Sequence, residues 1–127
     1  MSQRELGQLE VERLDEVIVV KVLGEHDLSS ASSLRQTLCS LAEEGCAIVA
    51  DLSDTEFIDL AVVRALMAAD DALDRRGHRL TVQIDSQAPT RRLFQVAGLD
   101  DLFVYAADRH TAIELARKAS EGRGQPP

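Results

Sequence analysis

The chain has no tryptophan, one tyrosine and three phenylalanines, so a core built from it must be aliphatic. Basic charge is also short. Fourteen lysines and arginines stand against 22 aspartates and glutamates, for a net charge of −8. That deficit excludes a free-standing nucleic-acid binder, which needs a basic stripe to meet phosphates. It disfavours an anionic membrane surface for the same reason. Long apolar runs are missing too: Val17-Ile18-Val19-Val20 is typical, far below the roughly 20 residues of a membrane-spanning helix. No basic stretch followed by an apolar one opens the chain, so a secretory signal is not expected and a cytoplasmic location is. Cysteine is sparse, with Cys39 and Cys46 alone and no CxxC spacing for zinc or dithiol chemistry. On one helix the two would stand about 10 Å apart along the axis, beyond disulfide reach. Gly45 is expected to end that helix, which leaves a bridge open. Two small buried thiols in a reducing compartment are the simpler reading.

What is present suits one domain of 127 residues, 45% hydrophobic and 28% charged. Residues 6–14 alternate as a half-exposed strand through Leu9 and Val11, and residues 17–23 form a more buried, β-branched one. The short Asp15-Glu16 link makes these two antiparallel neighbours. Ser29 or Ser30 is positioned to cap a helix carrying Ala31, Leu34, Leu38, Leu41 and Ala42 at helical spacing. Residues 47–52 read as a central parallel strand. Ser53-Asp54-Thr55-Glu56 is a polar loop, after which Phe57-Ile58 re-enters the apolar layer. Asp59 is expected to cap a second helix through Val62, Val63, Leu66, Met67, Ala69 and Leu73 that ends near Arg75-Arg76-Gly77. Residues 80–84 alternate as a strand, Pro89 opens a third helix stopped by Gly98, residues 102–105 form a short last strand, and Asp108 caps a final helix. The order is ββαβαβαβα, an α/β domain with a mixed, mainly parallel sheet of about five strands and about four helices. Residues 1–120 are expected to form the domain and 121–127 a flexible tail.

The chemistry is mostly defined by what the motifs fail to supply. There is no GxxxxGK[ST] loop, no GxGxxG after a strand, no HExxH and no GxSxG elbow. His26, His78 and His110 are scattered. No catalytic constellation, metal set or cofactor site is expected. Asp51 stands at the end of an apolar strand as a phosphoaccepting aspartate would. The acidic pair and the lysine after the last strand that such chemistry needs are missing, so Asp51 reads as a strand-end residue bonding loop backbone. A hydroxyl at the start of the second helix could carry a phosphate stabilised by the helix N-terminus. The residues there are Asp59-Leu60-Ala61-Val62, none with a hydroxyl.

At these residues the sequence resembles the STAS-domain family of bacterial anti-anti-sigma factors, from about residue 9 to residue 116. Gly24-Glu25-His26-Asp27 is similar to the family's Gly-Glu-Leu-Asp. Asp51-Leu52-Ser53 and Phe57-Ile58-Asp59 resemble its approach to the switch helix. Arg91-Arg92-Leu93-Phe94, Ala97-Gly98-Leu99-Asp100 and Leu102-Phe103 resemble its third-helix block. In the family Asp-Ser-Ser-Gly-Leu opens the second helix, and the first serine is phosphorylated by a partner anti-sigma kinase. Here Leu60 stands at the phosphoserine position, Ala61 at the second serine, Val62 at the glycine and Val63 at the leucine, and only Asp59 is kept.

The resemblance implies a non-catalytic anti-sigma factor antagonist. Its partner would be a protein, an anti-sigma factor or related ATP-binding kinase, held by Asp27, Ser29, Asp59, Leu60, Ala61 and Val62 without serine control at the second helix. Ser29, Ser30, Ser32 and Ser33 are substitute phosphoacceptor candidates, and Thr55 a weaker one. The alternative is a regulatory or scaffolding subunit of a transporter or signalling assembly. A nucleotide-binding module and a weak enzyme are less supported, and a homodimer is left open.

Overall fold

β2 (Val17–His26) is the strand on which the sheet is built. Its first half is buried on both sides: Val17, Ile18, Val19 and Val20 are at most 2% exposed. Such a run needs cover on both faces, as parallel strands receive from crossover helices. A computed structural model describes residues 8–26 and 28–123. β1 (Gln8–Arg13) pairs antiparallel with β2, from Gln8 opposite Leu23 to Arg13 opposite Ile18. β3 (Ala47–Asp51), β5 (Leu80–Gln83) and β6 (Val104–Ala106) follow in parallel, giving the order β1-β2-β3-β5-β6. The five strands and four helices read from the sequence are present in the expected order.

A short sixth strand, β4 (Thr55–Ile58), lies off this path beside the end of β2. Its pairing slips register between Gly24 and Glu25. Gly24 has φ 75°, a left-handed conformation that costs a side-chain-bearing residue about 1–2 kcal/mol. The kink frees β2 from β3 after Lys21 opposite Asp51 and turns its last residues toward β4. The Thr55 hydroxyl donates to the Val22 carbonyl at 2.6 Å and fastens the new pairing in the interior.

α1 (Leu28–Ala42), α2 (Leu60–Asp74) and α3 (Pro89–Val96) pack on one face of the sheet. α1 starts at Leu28, so Ser29 and Ser30 belong to its first turn rather than preceding it. α4 (Arg109–Arg123) covers the other face through Ala112 and Ala116 against Val17, Val19, Ala47 and Val49. It is capped by Asp108, whose carboxylate accepts from the Thr111 amide at 2.8 Å. α4 thus extends into the segment read as a tail, and residues 124–127 lie outside the described residues. α2 ends with the Leu73 carbonyl accepting from His78 N at 2.9 Å across Gly77 at φ 83°, a Schellman closure. Arg76 does not serve that helix end; it pairs with Glu43 at 2.8 Å. Cys39 and Cys46 are free, half-buried thiols.

Three of the four aromatic rings gather where α3 meets β6. Phe94, Phe103 and Tyr105 contact one another edge to face at centroid distances of 5.8–6.3 Å. Tyr105 donates its hydroxyl to the Leu99 carbonyl at 2.7 Å. The Arg91 guanidinium lies 4.1 Å above its ring and pairs with Asp100 at 2.9 Å. Phe94→Ala should lose about 3–5 kcal/mol in urea denaturation, whereas Val96→Ala, at a position 77% exposed, should stay within about 0.5 kcal/mol. Burial pushes the Tyr105 phenol up to about 12, with Arg91 opposing and Asp100 adding to the shift. An acid whose pKa is raised on folding stabilises the fold below its unfolded value and loses that contribution as pH rises through its folded value. Ultraviolet titration should therefore place the phenolate midpoint near 12 in the folded chain and near 10 in urea.

Candidate functional site

Two helices begin side by side where the parallel strands finish. β2 leads into α1, β4 leads into α2, and the β2–β4 pairing brings the two starts together. The turn between β3 and β4 is built by Asp51, which is buried and accepts from both the Ser53 amide at 2.9 Å and the Ser53 hydroxyl at 2.6 Å. This is the loop-bonding role its strand-end position suggested. Lys21 pairs with Asp54 of the same turn at 3.3 Å.

Asp59 caps α2 as expected. Its backbone is extended, at φ −116° and ψ −177°, and its carboxylate accepts from the Ala61 amide at 2.9 Å. Its carbonyl accepts from Val62 and Val63 at 3.0 and 3.3 Å. The cap fixes the rotation of the helix and thereby sorts the side chains that follow. Leu60 is 55% exposed, Ala61 is half-buried, and Val62 and Val63 are inside the core. Of the residues assigned to the contact, Leu60 offers the apolar surface, while Val62 is a packing residue that holds the helix down. Met67, counted on the inner face of α2, is instead exposed, so the outer strip of the helix carries Leu60, Arg64 and Met67. These positions recur at four and three residues and share one side.

Asp27 lies outside the described residues. Ser29 is in the first turn of α1. Beside it, Ser32 is exposed and lines a cleft of about 250 Å³ between α1 and α2, together with Ala31, Arg35, Ala61, Arg64 and Ala65. Arg35 and Arg64 were not singled out from the sequence. Each reads there as an ordinary charge on an outer helix face, and only the packing of α1 on α2 puts them in one cleft. A larger cleft of about 680 Å³, at the β1–β2 turn and α4, is lined by mixed charges including Arg13, Asp15, Glu114 and Arg117. Among the described residues, no three His, Cys, Asp or Glu side chains are grouped to hold a metal ion, and no helix is long and apolar enough to cross a membrane.

Removing the cap should be measurable without disturbing the core. Asp59→Ala should cost about 1 kcal/mol of stability, and Asp59→Asn should cost less, both read as shifts of the urea midpoint.

A family model described as "Mlab, STAS domain" matches residues 9–105. The anti-sigma-B factor antagonist of Bacillus subtilis (strain 168) is 26% identical over 106 residues, which are 84% of this chain and 96% of that protein. The crystal structure of an anti-sigma factor antagonist from Mycobacterium paratuberculosis is 31% identical, with a TM-score of 0.77, over 87% of this chain and 93% of the other. The Bacillus cell fate determinant SpoIIAA in its phosphorylated form is 20% identical, with a TM-score of 0.63, over 85% of this chain and 98% of the other. At that identity the last likeness is one of fold.

Proposed function

The chain belongs to the STAS-domain family, and on that premise we propose that it is a non-catalytic, cytoplasmic regulator of the anti-sigma factor antagonist type. Its partner is an anti-sigma factor, or a related ATP-binding kinase, docked on the loop after β2 and the start of α2. Asp59, Leu60 and Ala61 form that surface from the α2 side, and Asp27 and Ser29 are assigned to the contact by the family resemblance alone. The observation that carries the reading is the exposed leucine at the first position of a capped helix, beside the start of a second helix. Related proteins named as anti-sigma factor antagonists support the class of partner.

The consequence for regulation follows from charge. A phosphate at this helix start would add roughly −1.5 to −2 charges that must be desolvated when a flat surface docks. Leu60 has no hydroxyl, so docking here is not gated by that modification. The leucine adds affinity instead: burying such a side chain contributes about 1.5–3 kcal/mol at best.

The test is affinity capture from native cytosol with wild type beside Leu60→Glu, followed by calorimetric titration of the captured kinase. The reading requires an ATP-binding anti-sigma kinase held by wild type, and Leu60→Glu should weaken it about tenfold or more, equal to about 1.4 kcal/mol. Unchanged affinity removes Leu60 from the interface. Recovery of a transporter ATPase by both forms would assign the chain to a transport or scaffolding assembly. Incubated with the captured kinase and ATP, wild type should gain no phosphate at residue 60, whereas Leu60→Ser should be labelled there, as mass spectrometry of the peptide will show.

A further inference from the structure

Resting on the docking reading above, we infer that the cleft between α1 and α2 receives an acidic side chain of the partner protein, clasped by Arg35 and Arg64. In a chain with 22 acidic residues, cations commonly find a carboxylate of their own. Arg13 pairs with Glu44, Lys21 with Asp54, Arg76 with Glu43, Arg79 with Asp70, Arg91 with Asp100 and Arg109 with Glu12. Arg35 and Arg64 have no ion pair or hydrogen-bond partner among the described residues, and both are exposed.

The surroundings set these two apart from the arginines of the larger cleft. The larger cleft holds Arg13 and Arg117 together with Asp15 and Glu114, so its charges are offset within the chain. Among the described residues the α1–α2 cleft has no acidic lining residue: apart from its two arginines it is walled by Ala31, Ser32, Ala61 and Ala65. The nearest described carboxylate along the chain, Asp59, is held in its cap by the Ala61 amide. Small walls leave room for an incoming group beside the two arginines, and guanidinium N–H donors match a carboxylate.

The size of the cleft selects the kind of occupant. Its volume is about 250 Å³, below the roughly 300–1,000 Å³ of small-molecule sites and adequate for one inserted side chain. Ala61 joins the cleft to Leu60, so one docked surface would cover both the apolar and the cationic contact. The occupant is therefore a glutamate or aspartate of the docked protein rather than a free metabolite.

The full-length chain should be titrated with hexaglutamate peptide, hexalysine peptide and inorganic phosphate at matched ionic strength, following backbone amide shifts. Hexaglutamate should produce saturable shifts confined to residues 31–35 and 61–65, and hexalysine should not. Arg35→Ala combined with Arg64→Ala should lower hexaglutamate affinity about tenfold while leaving the urea midpoint within experimental error. Leu60→Ala should leave hexaglutamate binding within about twofold while weakening the anti-sigma kinase. Failure of the docking reading thus shows as wild type holding no anti-sigma kinase, or holding it equally well after Leu60→Ala, with the peptide result intact. Failure of this proposal shows as Leu60-dependent kinase binding that is indifferent to the double arginine variant. Shifts spread evenly over the surface, inorganic phosphate outcompeting hexaglutamate at the same amides, or self-association abolished by the arginine variant would each overturn it.

Discussion

The site depends on one strand having two consecutive partners. β2 pairs with β3 as far as Lys21, turns at the left-handed Gly24, and then pairs with β4. The hydroxyl of Thr55 on the Val22 carbonyl is the buried bond at that handover. A buried carbonyl left without a donor would cost about 1–3 kcal/mol, so the bond is more than a decoration of the turn. Because β2 feeds α1 and β4 feeds α2, this junction sets the distance between the two helix starts. The cleft, the capped aspartate and the exposed leucine all inherit their placement from it.

The α2 start then works as a sorting device. Once Asp59 fixes where the helix begins, a turn of about 100° per residue decides each side chain's environment. Residues 62 and 63 fall inward and residue 60 outward. The core therefore places little demand on the identity of residue 60.

Much of this could be read along the chain because the relevant interactions are local or periodic. Residues 17–20 of β2 and 47–50 of β3 are continuous β-branched and aliphatic runs, and α2 carries its own cap and its inward spacing within fifteen residues. Pro89 and Gly98 bracket α3 by the same local rules. β4 was legible only as a return of apolar residues at 57 and 58, since its pairing is with a segment some thirty residues away whose bend is set by a single glycine. α1 begins at Leu28, two or three residues before the start that a cap at Ser29 or Ser30 implies, because four nearby serines offer several starts and Leu28 carries no boundary signal. Met67, read among the apolar positions of α2, is exposed because the apolar face is narrower than the helix's apolar composition, whereas Val62, read both on that face and in the contact, is buried. Arg35 and Arg64 have no sequence relation at all, and only helix packing makes them neighbours.

The aromatic corner has a practical consequence at the other side of the sheet. Tyr105 is the sole tyrosine and no tryptophan is present, so the chain is optically quiet at the red edge of indole excitation. That one fluorophore sits on β6, three strands from β2, or about 14 Å at ordinary strand spacing, and it is clamped by Arg91 and the Leu99 carbonyl. Any indole emission from a complex belongs entirely to the partner. The chain is thus a dark ligand, against which a tryptophan-bearing protein can report its own environment without labels.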